Sequence, residues 1–164
     1  MATNFFLKLD GVTGEAQDTG HTGEIAVLSW SHSFNQPTSP TRSAAGGGTV
    51  EKANHADFSI TKYIDSATRD VLNFCWTGKQ LATGTFTCFR ASGDGEGVAY
   101  LEIDFKNIII SNYSISGGTG DVPVETVTLS YSSVTYKYNP VKLADGSGEG
   151  QKPITHDLAA QTVS

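Results

Sequence analysis

The residues best equipped for acid–base or metal chemistry are four histidines, His21, His32, His55 and His156. A metal site built on one element places its ligands at short spacings, so that the side chains share a face. None of the four has such a neighbour. His21 and Glu24 form an H-x-x-E pair, which reads more simply as a loop histidine beside a carboxylate at the start of a strand. Asp94 and Glu96 flank glycines in SGDGEG. Paired carboxylates there could bind calcium, but the Asp/Asn ladder of an EF-hand loop is missing and a solvated hairpin turn is the simpler reading. GGGTVEK, residues 46 to 52, sets glycines ahead of a lysine. It lacks the G-K-[ST] ending of a phosphate loop, and no helix follows it. There is no G-x-S-x-G, and nothing in the order of the Ser, Asp and His residues brings a triad together. Asn112-Tyr113-Ser114 matches a glycosylation sequon, which has meaning only in the secretory pathway. Cys75 and Cys88 sit in apolar NFCW and FTCF and read as two buried free thiols; without a C-x-x-C, redox and zinc roles have no support. The chain implies neither an enzyme nor a cofactor.

Composition narrows the class. The chain has 164 residues, a formal charge of −6 and only 17% charged residues, with 18 glycines. One domain spanning 1–164 is expected. The abundance of Gly, Thr, Ser, Tyr and Phe suits strands and tight turns. No Lys/Arg cluster is present, so nucleic acid and anionic membranes are poor partners, and no run is long enough to span a bilayer. MATNFFLKLDG has no basic leader and no small-residue cleavage site, so synthesis in the cytoplasm is expected, and any exit would read the folded protein.

The elements follow from periodicity. Strands are expected at Asn4–Leu9, about Glu24–Phe34, and within HADFSITKYID, where Phe58, Ile60, Lys62 and Ile64 share one face. SATRDVLNFCWTGK breaks the pattern with helical spacing, Asp65 or Ser66 to cap it and Gly78 to end it. Strands resume at Leu81–Arg90 and Val98–Phe105. The alternation then slips near Lys106-Asn107, as a bulge or bend would make it. A long strand from Val124 to Tyr138 slips again after Tyr131. The tail 141–164 is polar and weakly patterned and reads as an arm or flexible end. The expected fold is an antiparallel two-sheet β-barrel with one short flanking helix and a long extended loop.

That loop, within HSFNQPTSPTRSAAGGGTVEKANH, exceeds the roughly 12–15 residues usual for an unstructured connection. It holds Pro37, Pro40 and three consecutive glycines but no large apolar residue. Order there would come from another molecule, which points to assembly.

KLDGVTGEAQDTGHTGEIAVLSWS resembles the haemolysin-coregulated proteins of bacterial type VI secretion. The likeness continues through DFSITKYID, CWTGK, FRASGDGEGVAYLEIDFKNIII and GGTGDVPVETVTLSYSSVTYKYNP, nearly the whole chain. The resemblance implies a β-barrel tube protein. Six copies form a ring with a wide channel. Rings stack into an inner tube capped by a spike protein and driven by a sheath, and small effectors ride inside. Release occurs without a cleaved signal peptide. Ser31 in SWS would face the channel and touch cargo, with Trp30 pointing the other way. The loop 36–52, with Gln36, Pro37, Pro40, Arg42, Gly46, Gly47, Gly48, Glu51 and Lys52, would reach an adjacent subunit or ring. Two other readings stand beside this one. A barrel hydrolase needs a cluster of ionisable groups that the sequence does not offer. A monomeric ligand- or carbohydrate-binding module would use Tyr131, Tyr136 and Tyr138 as its face.

Overall fold

The computed structural model describes residues 3–38, 52–90, 97–140, 142 and 149–164. Twelve strands and one helix occur among them. β1 (Thr3–Leu9) pairs antiparallel with β2 (Ile25–Val27) on one side and β7 (Leu81–Arg90) on the other. β8 (Val98–Ser116) is long enough to serve two layers. Its first half pairs with β7 and with β10 (Ser133–Tyr138); its second half pairs with β9 (Val124–Ser130). β9 then pairs with β6 (Phe58–Tyr63), and β6 with β3 (Ser29–Ser31). β11 (Lys152–Asp157) extends the first layer beyond β10, and β12 (Thr162–Val163) lies outside it. β4 (Phe34–Asn35) and β5 (Asn54–His55) form a separate two-stranded ladder at the base of the long loop.

The two layers face each other. Phe58 on β6 meets Phe86 on β7 at 5.1 Å and Phe105 on β8 at 4.9 Å between ring centroids, and Trp30 meets Phe86 at 5.0 Å. Leu7, Ile25, Ile60, Ile103, Ile108 and Leu129 complete this core and are almost wholly buried. Aromatic pairs at such separations add to the area they remove from water.

The slips in the sequence mark the corner between layers. Asn107 has φ +52°, and beyond it β8 leaves β7 and β10 for β9. The expected strand 124–138 is two strands, because Tyr131-Ser132 turns the chain from one layer to the other. The Ser132 amide donates to Lys106 O at 3.0 Å, tying this corner to the one on β8. Sheets turn corners through such bends.

The expected closed barrel is not what forms. Among the described residues the ladders branch at β8 and never return to their start, with β2, β3 and β12 as ends. The reason lies at Leu28. Ile25 and Val27 point into the core, and then the facing flips, so that Trp30 and His32 turn inward while Leu28 and Ser29 are exposed. A one-residue slip moves a strand's inward set to the other parity. It divides the expected strand 24–34 into β2, bound to β1, and β3, bound to β6. Covalent chain, with the Leu28 amide donating to Thr61 O at 2.7 Å, crosses the place where a barrel ladder would close.

Candidate functional site

α1 (Thr68–Thr77) packs over the second half of β8 and is fixed by charge. Its start is organised by Asp65, whose Oδ1 accepts from the Ala67 amide at 3.0 Å and from Lys62 Nζ at 2.8 Å. Gly78 ends it at φ +65°, its amide donating to Phe74 O. Lys62 is fully buried and also meets Glu125 Oε2 at 2.6 Å. Glu125 Oε1 accepts from Thr68 Oγ1 at 2.8 Å and Tyr113 Oη at 2.6 Å. A buried charge needs this density of partners. Burial pushes the Glu125 carboxyl up, but Lys62, Tyr113 and Thr68 outweigh it and hold it below its ordinary value. Tyr113 is pushed well up by burial and by the bond to Glu125.

On the opposite face of the same strands, between Asp57 at one end and Tyr63 at the other, two rows carry only hydroxyls and one amide. Cross-strand register aligns Ser31, Ser59, Thr128 and Asn112 in one row, and Ser29, Thr61, Thr126 and Ser114 in the next. Ser29, Ser31, Asn112 and Ser114 are exposed, and Ser59 Oγ lies 3.5 Å from Thr128 Oγ1. These two rows form a flat polar wall without charge. Such a wall can hydrogen-bond a passing surface and still release it, since each net bond is worth only about 0.5–1.5 kcal/mol.

Ser31 therefore stands within an exposed polar row, and Trp30 is turned inward as alternation requires. The loop is less gathered. Gln36 and Lys52 are exposed and Pro37 is half-buried; Gln36 Nε2 donates to Pro37 O at 3.4 Å. Pro40, Arg42, Gly46, Gly47, Gly48 and Glu51 lie outside the described residues, as do Asp94 and Glu96. Tyr131 and Tyr136 do not make an aromatic binding face. Both are turned toward the core and bond His32, and only Tyr138 of the three is largely exposed. Cys88 is a free buried thiol whose pKa burial pushes up to about 11, and Cys75 is free and half-buried. His21 bonds Glu24 and stacks on Phe6, as a loop histidine closing over a strand.

Sequence reasoning missed the polar rows. Their residues come from four strands, and only cross-strand register aligns them. The signal was nonetheless present as serine and threonine alternating with apolar residues in SWS, FSITK and VETVTLS. Among the described residues no group of three or more His, Cys, Asp or Glu is arranged to hold a metal ion. No helix among them is long and apolar enough to cross a membrane.

Two β layers packed face to face, with one short helix among the described residues and two rows of neutral polar side chains on one sheet face, define a mainly β protein. The family model for "Type VI secretion system effector, Hcp" matches residues 6–138. The chain is 38% identical over 151 residues to Protein hcp1 of Pseudomonas aeruginosa strain PAO1, covering 92% of this chain and 91% of that one. A solved type six secretion system protein superposes with TM-score 0.91 at 27% identity, over 99% of this chain and 100% of its own. Hcp1 from Salmonella typhimurium does so with TM-score 0.78 at 29% identity over 100% of each chain. The protein belongs to the Hcp family of type VI secretion, whose members are structural tube proteins rather than enzymes.

Proposed function

We propose that this chain is the repeating subunit of the type VI inner tube, and that six copies close into a ring whose bore is lined by the Ser31 face. Rings stack into a channel, a spike protein caps it, a sheath surrounds it, and small effector proteins travel inside. The subunit assembles in the cytoplasm and leaves the cell without a cleaved signal. The observation that carries this reading is the pair of uncharged polar rows around Ser31. A lumen must contact many cargo surfaces and retain none, and neutral hydroxyls do this better than charges or apolar patches. The loop 36–52 is the arm to a neighbouring subunit or ring. Its base is a hairpin of only two residues per strand, a narrow support for so long a connection.

Light scattering tests the assembly: the purified protein has the mass of a hexamer, or approaches it as concentration rises. A single-chain mass at millimolar concentration overturns the ring. Replacing residues 38–48 by a four-residue turn keeps the subunit folded and weakens stacking in negative-stain images. Unchanged tubes would remove the loop from the mechanism.

A further inference from the structure

Three histidines far apart in sequence meet in one hydrogen-bonded chain with two tyrosines. Tyr136 Oη lies 2.5 Å from His32 Nδ1, and His32 Nε2 lies 2.6 Å from Tyr131 Oη. The same Tyr131 Oη lies 2.8 Å from His55 Nδ1, and His55 Nε2 lies 2.7 Å from His156 Nδ1. The chain links the segment between β3 and β4, the β9–β10 corner, β5, β10 and β11. Its location is telling, because β4 and β5 have no ladder to the main sheet. Side chains must hold that hairpin in place. They do so through this chain and through Phe34, which packs on His32, His55 and Tyr136.

Proton counting limits what the chain can tolerate. A neutral imidazole donates once and accepts once, and an imidazolium donates twice and accepts nothing. With all three histidines neutral, every contact is made with donation running in one direction. One added proton is tolerated: from His55, donation runs outward both ways, to Tyr131 and to His156. A second proton cannot be placed without a fault. It sets two N–H groups face to face between His55 and His156, or leaves the Tyr131 hydroxyl hydrogen without an acceptor.

We infer that this chain is an acid-sensitive latch: with no more than one added proton it holds the β4–β5 hairpin against β10 and β11, and a second proton releases it. Burial and then His55 depress His32 to about 4, against the Ala56 backbone and Asp57, which favour its charged form. Burial and then His156 depress His55. The other groups facing the chain are Asp57, also engaged by Ser111 Oγ, and the Cys88 thiol near Tyr136. Tyr131 and Tyr136 are pushed up by burial first, so both stay protonated. A released histidine titrates near 6.5. The closed latch is therefore fully favoured above that pH and loses ground as pH falls toward 4. The latch lies within one chain and does not depend on ring formation. If the loop is the intersubunit arm, acid frees its base.

Hydrogen exchange on the full-length protein tests this. The Ala56 amide donates to Ser33 O in the hairpin, and the Val127 amide lies in central β9. Between pH 7 and pH 5, after correction for intrinsic exchange, opening at Ala56 rises relative to Val127 by about tenfold or more, as uptake of more than one proton requires. His156→Gln and His55→Gln each remove a titrating site, and each flattens that rise. A ratio unchanged between the two pH values overturns the latch. So does an unaltered pH response in the His156→Gln protein, whose partly exposed site leaves folding intact.

Discussion

At the scale of single residues, the strongest constraint is the buried Lys62–Glu125–Asp65 group. Its charges satisfy one another and anchor α1, so removing one partner strands another. Glu125→Gln leaves Lys62 with Asp65 as its one carboxylate partner beside the Tyr63 carbonyl, and a loss of about 3–5 kcal/mol is expected by urea denaturation. Because the Glu125 carboxyl is held below its ordinary value, its stabilisation is present above the pKa of an unfolded glutamate. It is lost as pH falls through the lower, folded value. The stability of the Glu125→Gln protein should lack that acid-side decline. The sequence placed Lys62 on the inward face with Phe58 and Ile60, but could not show that Glu125 sits opposite it in register. A lysine on an apolar stripe signals a buried partner without saying which carboxylate supplies it.

At the scale of elements, local patterning made the strands, the helix and its Gly78 stop legible. Backbone crowding explains two further positions that patterning could not reveal. A Cβ on Gly14 would stand 2.4 Å from Glu24 O, a backbone atom of the loop that returns into β2. On Gly84 it would meet the ends of the Ile108 and Leu9 side chains at 2.7 and 2.8 Å. Side-chain ends can rotate away and the backbone cannot. Gly14→Ala should therefore cost more stability than Gly84→Ala, by about 1 kcal/mol or more, read from their denaturation midpoints. β11 escaped sequence reading because KPITHD is short, polar and begins near a proline. It forms because β10 offers it an open edge, with Val134 opposite His156 and Tyr136 opposite Ile154.

For the whole molecule, cohesion depends on aromatic contact between layers more than on any single ladder. Phe58 is fully buried and touches Trp30, His32, Phe86 and Phe105. Phe58→Ala should cost about 3–5 kcal/mol in urea denaturation. Trp76 on α1 is 79% exposed, and Trp76→Ser should leave stability within about 0.5 kcal/mol. This contrast separates the residues that join the layers from those that only face outward.

Alternation, turn residues and helical spacing act between neighbours in sequence, so the chain by itself determined its β class, the helix before Gly78, its bends and its family likeness. Closure was beyond that reach. Whether two sheets circle into a barrel or branch from a shared strand depends on pairing between distant segments and on the flip of facing at Leu28. The polar rows around Ser31 and the meeting of His32, His55 and His156 were decided the same way. Both need strands separated by tens of residues to lie side by side in one register, and only tertiary packing chooses that register.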